Sequence, residues 1–339
     1  MNLPDHNFLS APLWIITALH ITTFALHLLA MNFMVGGTVI VLYEKFIRRS
    51  DDDVYRKLIK LFPTVMAATV SFGVAPLLFL QLVYGQHVYS ASIVSAWFWL
   101  MIVAVVITCY YCLYAAAFAE ENSNNRVKIY LTIALCCFVY VSFTYSSVFS
   151  MAEQPDLYKE LYKNRQSGLT INTAIGSYIF RWLHFLTAAL AVGGFFTGWL
   201  GKDNKAVFEK SIKYFMSGIV AAMITGTAYL FSLGSLLKPV MNSYAAPVLL
   251  VAIILSMVSL FYFVKKDFIK AGVIFLVSFT GMIIIRFHAR TVFLKDYFDA
   301  STIPVKPQWT FFMIFIVFFA IAVILVWYML KLFFAKDRQ

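Results

Sequence analysis

The chain has 339 residues, of which 62% are hydrophobic and 13% charged, and its net charge is +11. Soluble globular chains carry about 25% charged residues, so an ordinary soluble fold is excluded and a polytopic membrane protein is expected. Basic cytoplasmic loops account for the positive excess, and nucleic-acid binding is set aside.

In chain order, apolar runs long enough to cross a bilayer predict nine helices, over 12–45, 58–84, 91–119, 127–151, 173–200, 209–236, 245–264, 268–289 and 309–334. The opening "MNLPDHNFLSAPLW" lacks a basic n-region, so the first helix is expected to be retained. Alternate connections read "EKFIRRSDDDVYRKLIK", "EENSNNRVK", "GKDNKAVFEKSIK", "VKKDFIK" and "KLFFAKDRQ". By the positive-inside rule these are cytoplasmic. The N-terminus is then outside and the C-terminus inside. The outer connections are "QHVYSA", "EQPDLYKELYKNRQSGLTIN", "KPVMNSY" and "TVFLKDYFDASTIPVKPQ". The expected architecture is an all-α integral membrane protein, one polytopic domain over 1–339, with no clear internal repeat in the sequence.

Charged groups in hydrocarbon are costly and usually functional. No helix centre carries an acid, and Glu44 and Glu153 fall near helix ends. A proton-coupled transporter built on a buried carboxylate is therefore disfavoured. Cys109 and Cys112 form CxxC but lack the following His of covalent haem attachment, so the four cysteines are read as packing residues. "WFW" at 97–99 reads as an interfacial aromatic belt.

Histidine remains. His6, His20, His27, His87, His184 and His288 all fall in the outer half or on the outer surface, with His87 in the first outer loop. Imidazoles gathered on one side of a bundle are what b-type haem sites need. The alternative for each is a hydrogen-bonded structural residue. His20 and His27 are seven residues apart, so they share a helix face at about 10 Å separation. One haem cannot take both, because axial ligands approach from opposite sides. Arg181, Arg286 and Arg290 sit at outer helix ends. They either pair with haem propionates, since the guanidinium fork matches a carboxylate, or snorkel to the interface.

Several stretches resemble subunit I of the cytochrome bd quinol oxidases. "HLLAMNFMVG" sets His27 nine residues before Gly36, and "RWLHFLTAALAVGG" sets His184 nine before Gly193. "GVAPLLFLQLVYG", Gly73 to Gly85, is similar to a second-helix motif of that family, and "SMAEQP", Ser150 to Pro155, to the end of its fourth helix. The resemblance covers roughly 12–237. It implies nine helices with the N-terminus outside, the bacterial or archaeal cytoplasmic membrane, and haem b, two or more per chain. It implies His27 as the first-helix haem ligand and His184 as the low-spin haem b ligand, with a methionine opposite near Met241. A second membrane subunit is implied as partner.

The chain also departs from that family. The third- and eighth-helix glutamates and the GRQPW signature are missing, and the long quinol-binding loop is reduced to about "LKPVMNSY". A haem with two protein ligands is closed to oxygen and suited to electron transfer. The expectation is that His184 pairs with Met241 or His288, and that His27 and His20 serve separate irons or partner other helices. The expected function is electron transfer between the quinone pool and an outer-side partner such as a c-type cytochrome. Two alternatives stand beside it: a divergent oxygen-reducing oxidase, and a non-haem transporter or membrane anchor.

Overall fold

The computed structural model describes residues 8–120, 123–241 and 244–336, with side chains for only part of the final helix. His6 lies outside the described residues. The chain is all-α: among the described residues there is no strand, only an isolated bridge between Leu9 and Val305. Its helices are α1 Leu13–Val41, α2 Asp53–Val94, α3 Ala96–Ala119, α4 Asn124–Ala152, α5 Pro155–Asn164, α6 Ile179–Leu200, α7 Lys205–Ser232, α8 Leu237–Met241, α9 Ala245–Val264, α10 Phe268–Leu294 and α11 Trp309–Lys336. Among the described residues eight are long and apolar enough to cross a membrane. The ninth expected span, 309–334, is helical as α11, with a described apolar stretch over Trp309–Ile321.

Polar caps set the starts of α2, α4, α7 and α10. Asp52 Oδ1 accepts from Val54 N at 2.9 Å at the head of α2, Ser123 caps α4, Asn204 caps α7 and Asp267 caps α10. Each satisfies a backbone N–H left orphaned by the first helical turn. The chain leaves α1 through a π-helical turn, Leu42–Ile47.

The second helix differs from its expected span of 58–84. It runs to Val94, about 63 Å at 1.5 Å per residue, with Pro63 and Pro76 inside and non-helical angles at Tyr84. "QHVYSA" is thus helix rather than loop, and His87 is buried on α2. The turn to α3 is one residue, Ser95, whose hydroxyl donates to Thr170 O at 2.7 Å. The connection after α5 folds over this corner, where Trp97 N donates to Gly168 O and Thr170 N to Val94 O, and Gly168 takes a positive φ of 71° there. Trp97 stays exposed, while Trp99 packs on Tyr145.

Two four-helix units repeat one plan that is not clear in the sequence. In each, a long hairpin (α1–α2, α6–α7) is followed by a second hairpin (α3–α4, α9–α10). Gly36 faces α6, where a Cβ would lie 1.8 Å from Ala189 O; Gly193 faces α1, where it would lie 2.5 Å from Gly36 C. Their neighbours do the same within each unit. A Cβ on Gly37 would meet Phe62 of α2 at 3.0 Å, and one on Gly194 would meet Phe215 N of α7 at 2.6 Å. Small residues let helices approach closely where hydrocarbon gives no hydrophobic drive. The first unit fills its centre with Met34, Ile40, Leu58, Phe62, Leu113 and Leu131. The second packs Phe195, Phe208, Phe215 and Phe263 edge-on and tilted against one another.

The ends of the bundle hold its charges. At one end Asn204 Nδ2 donates to Asp52 Oδ2, joining the caps of α2 and α7. There Glu44 accepts from Lys210 at 2.5 Å and from Tyr214, and Lys45 pairs with Glu120 at 3.2 Å. Glu153 marks the opposite end. Glu44, Glu120 and Glu153 are all buried, so the expected scarcity of buried acids is corrected. Each lies at a helix end, where sequence position alone does not reveal whether the end is covered.

Candidate functional site

His27 and His184 are built alike. The His27 Nδ1 donates to Thr69 O of α2 at 2.9 Å, and the His184 Nδ1 donates to Ala222 O of α7 at 2.8 Å. A carbonyl only accepts, so in both rings the proton sits on Nδ1 and Nε2 carries the lone pair. Four residues beyond each carbonyl is a glycine under the ring. A Cβ at Gly73 would lie 2.9 Å from His27, and one at Gly226 would lie 3.0 Å from His184. Gly73 and Gly226 therefore clear the space the rings occupy. This is how ligating histidines are commonly held: one ring nitrogen fixes tautomer and orientation while the other is presented.

His20 is held differently. It is buried against Phe287 of α10, ring centroids 4.4 Å apart, with Phe24 at 6.1 Å. Among the described residues its ring has aromatic neighbours and no backbone carbonyl of the kind that orients the other two. His27 turns to α2 and His20 to α10. The rings of His288 and Tyr244 are tilted 54° to each other with centroids 5.0 Å apart, and Tyr244 follows Met241 by three residues. The short helix α8, which ends at Met241, contacts α10, which carries His288, while His184 is fixed on the α7 side of α6.

The three arginines converge. Arg181 Nη1 donates to Glu153 Oε2 at 3.0 Å and Arg181 Nη2 to Ser146 O at 2.9 Å. Arg286 and Arg290 both donate to Glu153 Oε1, Arg290 at 3.2 Å. Arg181 is 4% exposed and Arg290 9%. The heads of these two meet Glu153 inside the protein. By sequence Glu153 falls near a helix end, with nothing to mark it as the centre on which they meet. The "SMAEQP" stretch held that signal, an acid where α4 stops. Beside Glu153 and Arg290 is a cavity of about 10 Å³, the room of one water. It is also lined by His87, whose Nδ1 lies 3.2 Å from Tyr158 Oη.

Among the described residues no three His, Cys, Asp or Glu side chains gather to hold a metal ion by themselves. A haem iron needs only one or two axial side chains. Pinned histidines with a presented Nε2, ring-clearing glycines and buried arginines fit haem b, with His27 and His184 as the residues that would hold iron. The cysteines remain free thiols, and Cys109 Sγ packs 3.8 Å from Ala134 O. No family model matches this chain, and no curated protein is found similar to it.

Proposed function

We propose that this chain is a membrane b-type haem protein that moves electrons between the quinone pool and an outer-side redox partner such as a c-type cytochrome. One observation carries the reading: His27 and His184 repeat one ligand-presenting construction, once in each four-helix unit. Haem b, when bound, supplies one-electron redox chemistry. The chain's own part is to present Nε2 of each histidine, to keep both rings in one tautomer through Thr69 O and Ala222 O, and to surround them with apolar helices. The cytochrome bd-like bundle, a second membrane subunit, the N-terminus-outside orientation and the cytoplasmic membrane of a bacterium or archaeon belong to the same proposal.

The test is an optical spectrum of the purified protein, oxidised, reduced, and reduced with carbon monoxide. Sharp reduced α bands that carbon monoxide does not shift are expected. A carbon monoxide-sensitive high-spin haem would replace this reading with oxygen reduction. A protein expressed with ample haem that shows no Soret band would end it.

A further inference from the structure

The charge balance at Glu153 is incomplete. One carboxylate meets three guanidinium groups, those of Arg181 and Arg290 buried and that of Arg286 partly buried, an excess of two positive charges. Uncompensated charge at such depth is costly, and buried charges are as a rule paired. Arg181 is satisfied by Glu153 and Ser146 O. Arg286 and Arg290 are not: Nη1 of each is buried with no hydrogen-bond partner among the described residues. They stand four residues apart on α10, so one helix face carries both unpartnered donors. Arg290 is 9% exposed, and its guanidinium is braced 5.3 Å from the rings of both Tyr84 and Phe287. Two fixed, desolvated N–H donors and two surplus charges are the recognition chemistry of an oxyanion.

We propose that Arg286 and Arg290, anchored through Glu153 to Arg181, form a buried binding site for the carboxylate or phosphate group of a ligand lodged in the bundle. Glu153 is the fixed counter-ion that holds the forks in place and limits the surplus to two charges. The cavity beside Arg290 has room for one water. Two sources share this chemistry: the propionates of a tetrapyrrole and the phosphate of an anionic lipid. The first rests on the function proposed above, and the second does not.

The test uses the full chain, purified and placed in nanodiscs of phosphatidylethanolamine and phosphatidylglycerol. Haem per chain and haem midpoint potential are read on the same sample as phosphatidylglycerol retained in native mass spectrometry. Arg286→Gln and Arg290→Gln are each expected to weaken ligand retention about tenfold, the worth of one charge-assisted hydrogen bond. Glu153→Gln breaks the same ion pairs but raises the positive surplus, so retention is expected to hold or rise. A cluster that serves packing alone would lose thermal stability in all three variants and move neither ligand. Where a glutamine variant does not assemble, Arg290→Lys, which keeps the charge and loses the fork, carries the comparison.

Haem content or potential that follows the arginine variants identifies a tetrapyrrole carboxylate. Phosphatidylglycerol that follows them identifies a lipid phosphate, and a haem-free chain giving that result would sink the functional proposal while keeping this one. Haem present, with both readouts unmoved by every variant, overturns the anion site and leaves the functional proposal standing. Both ligands absent or unmoved overturns it as well.

Discussion

Gly36 and Gly193 lie against each other where α1 crosses α6, each nine residues after a histidine that gives its Nδ1 proton to the next helix in the chain. This contact joins the two units and fixes the histidine stations relative to each other. The caps of α2 and α7 add a second tie, through Asp52 and Asn204.

Alanine at either crossing glycine should force α1 and α6 apart, since its Cβ would fall within 2.5 Å of backbone atoms. A loss of about 1–3 kcal/mol or more is expected, the usual cost of overpacking. Thermal melting of the detergent-solubilised protein measures it. A melting temperature unchanged in both variants would mean the crossing is looser than described.

His27→Ala and His184→Ala should each remove one haem, independently, in a pyridine haemochrome count. His20→Phe should keep the full count, because His20 packs between Phe24 and Phe287 without an orienting acceptor. Loss of haem from the His20 variant alone would make His20 a ligand and reassign the first unit.

Gly73→Ala and Gly226→Ala act on ring orientation rather than on ligation. The new methyl would lie 2.9–3.0 Å from the His27 or His184 ring, closer than carbon atoms sit at optimal contact, about 3.5–4.0 Å. A shifted α band or midpoint potential with haem retained is the expected result. A wild-type spectrum in both variants would argue that neither ring faces a cofactor.

Asp52→Ala and Asn204→Ala should each cost about 1 kcal/mol as lost caps. Because the two side chains also touch, the double variant should cost less than the sum, by about 0.5 kcal/mol or more. Strict additivity in thermal melts would show that the contact between Asp52 and Asn204 contributes nothing. Haem content should not change in any of the three, since the caps lie about 25 Å along α2 and α7 from Thr69 and Ala222, at 1.5 Å per residue.

Apolar length and charge determined much of this protein from sequence alone. Runs of hydrocarbon-compatible residues dictate membrane-spanning helices wherever they fall, because backbone polar groups in lipid must be satisfied within the helix. The histidine–glycine spacing marked His27 and His184, and both proved to share one setting. The continuation of α2 through "QHVYSA" was not legible, since six mixed residues between two apolar helices read equally well as a loop. The repeat was hidden for a related reason. It resides in a few glycines, caps and carbonyl contacts, while the apolar residues between them interchange freely. Only the tertiary structure decided the fate of the charges. Glu153 and three arginines come from α4, α6 and α10, separated by up to 137 positions. Whether an ion at a helix end meets water or a partner depends on which other ends cover it, and packing alone sets that.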